Sequence, residues 1–478
     1  MIALQQASTW LSHALPVGDL DVTALRVVSD TRSLRAGDLF VALKGDTFDA
    51  HDFLAQAKSL GAVAAIAHHG LSAAGLPGFE VLDTRLALGE LAAGWRAQFS
   101  LPLIGVTGSN GKTTVTQMIA AVLRAWKHHN AFATEGNFNN DIGVPLTLLR
   151  LTAAHEVGVV ELGMNHPGEI AYLASLVKPH VALINNAQRE HLEFMGTVDA
   201  VADENGAVLA SLPTDGVAVF PADDAYTARW RDLAGTRRVM TFAWLDDDAG
   251  ADITATAAWC AEHWQVSAST PSGALAFDLH IAGRHNVKNA LAATACAIAA
   301  GVPLTAIAEG LSGFAPVKGR SRAAIVAVNG HVVTVVDDTY NANPDSMQAA
   351  IEVLAELPSP RLLVMGDMGE VGSDGPWFHQ EAGSQAALRY IDYLFTLGDQ
   401  SAYAQQAYTA ARQQASHHFN DMDDLLAAVR NLLPGVNSVL VKGSRFMKME
   451  RVVQALEKES LDSVEASKKT SEETPHAA

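Results

Sequence analysis

Residues 105–114 read GVTGSNGKTT, which sets a lysine and two threonines directly behind closely spaced glycines. Such a turn can hold a polyphosphate. Gly108 and Gly111 let the backbone take positive φ and come close to oxygens. The amides along Thr107, Gly108, Ser109, Asn110 and Gly111 then face the anion at a helix start. Lys112 brings a mobile positive charge for the β- and γ-phosphates, and the Thr113 hydroxyl, ahead of Thr114, suits a Mg2+ ion. The run misses G-x-x-x-x-G-K-[ST] by one residue, because Val106 stands where the first glycine belongs. Val106 is expected to end a strand rather than lie where the amides converge, so the departure costs little.

A loop of this kind needs a strand before it and a helix after it. LIGV and TTVTQMIAAVLRAW supply both. Around them the apolar runs LIGV, VGVVEL, VALINN and VAVF alternate with helical segments, the pattern of a mainly parallel sheet covered on both faces. Glu161 ends VGVVEL at the carboxyl end of its strand, where open α/β sheets bind ligands. Ahead of this region, short runs such as LFVAL and AVAAIA predict a small α/β domain, joined by a helical connector, LALGELAAGWRAQF. The Ala-rich helix at 289–301 is expected to close the central region. From about Phe314 the alternation restarts with VVTVVDD, RLLVMGD, YLFTLGD and SVLVKGS. The chain therefore reads as α/β with three domains: 1–85, a central P-loop domain at 86–313, and a Rossmann-like domain at 314–457. A tail at 458–478, poor in large apolar residues, cannot offset its ordering entropy and is expected to be disordered.

The 478 residues carry a formal net charge of −19, with no long basic run. That balance excludes a general binder of nucleic acid or of membrane surfaces. The two cysteines, Cys260 and Cys296, form no C-x-x-C pair, so neither a disulfide framework nor a thiolate metal site is expected. With no signal-peptide pattern and no apolar run of ~18 residues, the reading is a soluble cytoplasmic protein. MGDMGEVG at 365–372 spaces its glycines as G-x-x-G-x-x-G, which is not a dinucleotide fingerprint.

Further stretches follow the phosphate loop: EGNFNNDIGVP (135–145), VVELGMNHPGEI (159–170), NNAQREHLEFMGTV (185–198) and GRHNVKNALAA (283–293). After them come VKGRSR (317–322), DDTYNANPDSM (337–347), MGDMGEVG and VKGS (441–444). In content and order they resemble the Mur ligases, over nearly everything but the tail. VSDTR (28–32) and LFVALKGDTFDAHDF (39–53) resemble that family's UDP-sugar-peptide domain, and DDTYNANPDSM is most similar to its last member. The resemblance implies an ATP- and Mg2+-dependent ligase. It would phosphorylate a carboxylate of UDP-N-acetylmuramoyl tripeptide, and the amine of D-alanyl-D-alanine would attack the acyl phosphate. The near rival is the preceding ligase, which adds a single amino acid; a P-loop switch ATPase is the rival from another class. Small-molecule substrates, no nucleic acid, no membrane insertion and a monomer are expected.

By resemblance Lys112, Glu161, His191 and Arg320 are catalytic, and Thr113, Glu161 and His191 ligate two Mg2+ ions. Asp338 is similar to the family's ribose- or phosphate-proximal aspartate. Asn286 and Asn289 fall three apart near a helix start, so one caps it and the other meets adenine, or both serve capping alone. Arg320 reaches the γ-phosphate as the domains close, or is a linker arginine. Ser29, Asp30, Thr31 and Arg32 suit a diphosphate or uracil, with Lys44 and Gly45 as a second contact, or they form a turn. Asn137, Asn139 and Asn140 meet the sugar-peptide or make turns. Tyr340, Asn341 and Asn343 precede Pro344, a first-turn proline, with the two asparagines expected near the peptide. Lys442 faces a carboxylate of the dipeptide or solvent.

One position departs from the family. Many Mur ligases carry, fourteen residues after this histidine, a lysine that CO2 converts to a carbamate; here it is Asn205. A neutral amide cannot be carbamylated, so the second Mg2+ is held more weakly, or Glu204 or Asp203 supplies the missing charge. Added bicarbonate is expected to leave the rate unchanged, and intact mass spectrometry to find no carbamate on any lysine.

Overall fold

The computed structural model describes residues 1–459 apart from 46, 248–249, 261–262, 329–330 and 413–415. Three larger sheets succeed one another along the chain. The first has the strand order Leu15–Val17, Gly78–Glu80, Ala64–Ala67, Leu39–Val41, Val27–Val28 and is antiparallel only at its first pair. Helix Thr84–Arg96 leads out of it, capped by Asp83, whose carboxylate accepts the amides of Arg85 and Leu86. At its far end the buried Arg96 donates to the carbonyls of Val177, Phe99 and Leu101. A guanidinium can be buried there because its donors are used, and it fastens the connector to the central region.

The central sheet has nine strands, ordered Gly273–Leu279, His263–Thr270, Ile253–Cys260, Arg238–Trp244, Val217–Pro221, Val181–Ile184, Leu103–Thr107, Val157–Glu161, Ala131–Ala133. The last seven run parallel. Leu103–Thr107 is buried throughout, and Val106 lies inside it, in register with Leu183 on one side and Glu161 on the other. The first three strands pair antiparallel and alternate buried with exposed residues, as a sheet wetted on one face does. The sequence reading assigned no strands there. Helix Arg284–Ala299 starts five residues before the expected 289, and a further helix, Leu304–Ser312, follows it.

The third sheet is ordered Arg322–Val328, His331–Asp338, Ser438–Lys442, Arg361–Gly366, Tyr393–Leu397, Ser416–Phe419, antiparallel only at its first pair. The fold is thus mixed α/β with mainly parallel sheets. Residues 458 and 459, expected in the tail, belong to a last helix at 450–459; the rest of that segment lies outside the described residues. The carboxyl ends of the second and third sheets (Glu161, Asp338, Lys442) come together around one cleft. That convergence positions the site.

Candidate active site

Helix Lys112–Lys127 begins behind Gly111, at φ 80°, with no side-chain cap. Its first amides are left open to an anion. Gly111 has no room for a side chain, since a Cβ would lie 2.7 Å from Asn289 Oδ1 and 2.8 Å from Asn185 Nδ2. The segment after strand Val181–Ile184 braces the loop. Asn186 accepts the amides of Ser109 and Asn110 through its carbonyl and Oδ1, and the side chains of Asn185 and Asn186 both donate to the Asn110 carbonyl. Lys112 Nζ folds back on the loop, donating to the carbonyls of Gly108 (2.6 Å) and Ser109 (3.0 Å) and pairing with Glu190 Oε1 at 2.5 Å.

Two carboxylates are buried beside it. Glu161 Oε1 accepts from Thr113 Oγ1 (3.0 Å) and Asn139 Nδ2 (2.8 Å), while Glu161 Oε2 and Glu190 Oε2 are buried without a hydrogen-bond partner. Anionic oxygens left bare next to a phosphate cradle fit a hard divalent cation. Among the described residues no three His, Cys, Asp or Glu side chains form a cage. Mg2+ needs none, being held usually by one or two carboxylates with phosphates and water. His191 lies between carboxylates, with Nδ1 2.5 Å from Glu370 Oε2 and Nε2 3.6 Å from Glu190 Oε1. Burial would depress its imidazole, but Glu190 and Glu370 outweigh that and hold its pKa up at about 9. The two carboxylates thus favour the charged ring, whereas a histidine that ligates a metal must be neutral.

The third sheet closes the other side of a cleft of about 1190 Å3, larger than the usual single-ligand pocket. Asn343 caps helix Pro344–Glu356 through a reciprocal bond with Ser346, and its Nδ2 donates to Asn110 Oδ1 on the phosphate loop. Arg189 reaches across as well, pairing with Asp345 and Glu381 at 2.7 Å each while its guanidinium lies over Phe378. Arg320 stacks on the Tyr340 ring, 4.0 Å from its centre. Lys442 is buried and bonds Asp338 Oδ2 and the Asn341 carbonyl. Burial would raise the Asp338 carboxyl, but Lys442 holds it below the ordinary aspartate value.

Three family models match the chain: "Mur ligase family, catalytic domain" at residues 26–96, "Mur ligase middle domain" at 106–297, and "Mur ligase, glutamate ligase domain" at 321–445. The UDP-N-acetylmuramoyl-tripeptide–D-alanyl-D-alanine ligase of Escherichia coli (strain K12) is 42% identical over 95% of this chain and 98% of its own. The chain belongs to the Mur ligase family. The ligase of the same name from Bacillus subtilis (strain 168) is 34% identical over 90% of this chain and 92% of its own. A crystal structure of MurF from Acinetobacter baumannii superposes with a TM-score of 0.85 at 36% identity, covering 95% of this chain and 98% of that one. The Thermotoga maritima MurF ligase in complex with ADP gives 0.78 at 27% identity, covering 91% and 98%.

In this Mur ligase most predicted site residues line the cleft: Ser109 to Thr114, Asn137, Asn139, Asn140, Glu161, His191, Asn286, Asn289, Arg320, Asp338, Tyr340, Asn341, Asn343 and Lys442. Several do other work than expected. Neither Asn286 nor Asn289 caps a helix, because both are buried inside Arg284–Ala299. Asn286 Nδ2 donates to the Ala282 carbonyl, and Asn289 links Asn286 Oδ1 to Asn185 Nδ2. Asn139 orients Glu161, and Asn140 Oδ1 accepts the amides of Ile142 and Gly143 in the turn that leads into helix Gly143–Leu148. The amide group of Asn343 is committed to its cap and to Asn110, and Lys442 faces neither solvent nor an open carboxylate site. Thr107 is buried and donates to Asn205 Oδ1 (2.6 Å).

The substitutes considered for a carbamate are also committed. Glu204 accepts the amides of Gly168 and Ile170 at a helix start, and Asp203 is exposed beside Arg229. Ser29, Asp30, Thr31, Arg32, Lys44 and Gly45 are not among the cleft's lining residues; Arg32 is exposed and pairs with Asp30, and Lys44 with Asp49. Sequence reasoning missed Asn185, Asn186, Arg189, Glu190 and Glu370. The first four stand in NNAQREHLE, where only the histidine drew notice; Glu370 sits in the glycine run set aside as a false dinucleotide motif. Arg189→Ala strips Asp345 and Glu381 of their partner and is expected to cost about 2 kcal/mol of interdomain docking, the low end for a truncated buried charge pair. Small-angle scattering on the nucleotide-free variant should show a larger radius of gyration than wild type, with ADP affinity nearly unchanged.

Proposed function

We propose that this cleft is where the chain, an ATP-dependent Mur ligase, joins D-alanyl-D-alanine to UDP-N-acetylmuramoyl tripeptide for peptidoglycan synthesis. The observation that carries the assignment of roles is the contact of Thr113 Oγ1 with Glu161 Oε1, which leaves Glu161 Oε2 bare beside the open amides of the helix start. The loop amides and Lys112 hold the β- and γ-phosphates, and Asn286 and Asn289 lie on the adenosine side. Mg2+ fits against Thr113 and Glu161, where it supplies a Lewis acid that screens the phosphates from an incoming carboxylate.

The carboxylate of the tripeptide attacks the γ-phosphorus, the β–γ bridge bond breaks, and ADP leaves. The dipeptide amine then attacks the acyl carbon, the C–O bond to phosphate breaks, and amide, inorganic phosphate and one proton are released. Arg320 can leave the face of Tyr340 to meet charge building on the transferred group. Asn341 and Tyr340 face the amine donor, and Lys442 keeps Asp338 ionised at the cleft wall. Asn137, with Asn139 and Asn140 behind it, lines the side toward the sugar-peptide. The UDP end lies on the first domain at Ser29 to Arg32 and at Lys44 and Gly45. We divide the chain functionally at 1–85, 86–313 and 314–457, a division the separate sheets support. Cytoplasmic location and monomeric action suit substrates of this kind; among the described residues no helix is long and apolar enough to cross a membrane.

ADP release measured over a matrix of UDP-muramoyl peptides and amine donors is expected only when tripeptide and D-alanyl-D-alanine are both present, with the amide confirmed by product mass. Lys112→Ala should lower the rate by about a hundredfold or more. Steady ATP hydrolysis with neither substrate would identify a switch ATPase instead.

A further inference from the structure

Glu190 occupies the point at which the charge balance must change when a nucleotide enters. Its side chain is 10% exposed, with Oε1 on Lys112 Nζ at 2.5 Å and Oε2 buried without a partner. Lys112 is folded back onto the carbonyls of Gly108 and Ser109. To serve a triphosphate it must turn toward phosphate oxygens, and among the described residues Glu190 is then left with only His191 as a close cation, its Nε2 3.6 Å away. A buried carboxylate facing a polyanion without a partner is strongly unfavourable. The carboxylates beside position 205 are not free to share a cation there. Glu204 is spent on the amides of Gly168 and Ile170, Asp203 is exposed beside Arg229, and position 205 is a neutral amide bonded to Thr107. Glu370 approaches the other nitrogen of His191.

We propose that Glu190 supplies the anionic oxygen for a second divalent cation, bound beside His191 once the triphosphate has drawn Lys112 away. In this chain a side-chain carboxylate next to the histidine thereby does the work that elsewhere falls to a carbamylated lysine. The ion pair Lys112–Glu190 and the cation site are alternative states of one carboxylate. This inference rests on the ATP-dependent ligase reading above.

The test is a titration of full-length protein with Mn2+, read by electron paramagnetic resonance, with a non-hydrolysable ATP analogue present. Wild type is expected to bind two Mn2+ per chain. Glu190→Gln should keep the nucleotide-linked ion, which reports intact folding, and bind the second about a hundredfold more weakly or not at all. Glu190→Asp, which keeps the charge, should retain the second ion more tightly than Glu190→Gln does. A wild-type stoichiometry of one, or two ions of unchanged affinity in Glu190→Gln, overturns the proposal. Wild-type protein that binds neither nucleotide nor ion overturns the ligase reading itself.

Discussion

A single lysine in this cleft has two anions to satisfy. Lys112 pairs with Glu190, yet the same ammonium is the natural partner of the β- and γ-phosphates. Glu161 adds a second buried carboxylate to the lining of the same cleft, and an acyl-phosphate ligase must bring in a third from its substrate. Such a density of negative charge is tolerable at low local dielectric only if cations arrive with the phosphates. The bare oxygens of Glu161 and Glu190, the uncapped helix start and the stacked Arg320 are each arranged around that requirement.

The surrounding architecture keeps these groups from relaxing away. The phosphate loop is stitched to the asparagines behind the neighbouring strand, which take the amides of Ser109 and Asn110 and hold the Asn110 carbonyl, so the amides left open are those of the helix start behind Gly111. The third sheet is fastened to that loop through Asn343 and to the following segment through Arg189 and the His191–Glu370 pair. Closing the cleft therefore also fixes the electrostatics: the residues that join the two sheets touch the groups that meet the phosphates. Domain movement and charge neutralisation are coupled through the same side chains.

What was legible in the sequence was local. The glycine spacing and the flanking strand and helix identify the phosphate loop, and the end of VGVVEL places Glu161, because both follow from nearest neighbours along the chain. Pro344 marked the helix that Asn343 caps. The bond from Asn343 to Asn110 spans 233 residues, and no periodicity can announce it. The same holds for Glu370, whose glycine run shows in the sequence only that it lacks the dinucleotide spacing. Asn286 and Asn289 suggested caps because the helix was started too late; with the true start at Arg284 their side chains turn inward to the loop. The antiparallel strands of 253–279 escaped notice because small residues such as Ala, Ser and Thr carry a weak alternation signal.

In a ligase of this design the terminal phosphoryl group passes to an organic acid before any amine takes part. Positional isotope exchange tests it most directly, using ATP labelled with oxygen-18 at the β–γ bridge and no D-alanyl-D-alanine. Scrambling of the label that requires UDP-N-acetylmuramoyl tripeptide and disappears in Lys112→Ala is the predicted result. No scrambling with the acid bound, or equal scrambling without it, would contradict the account.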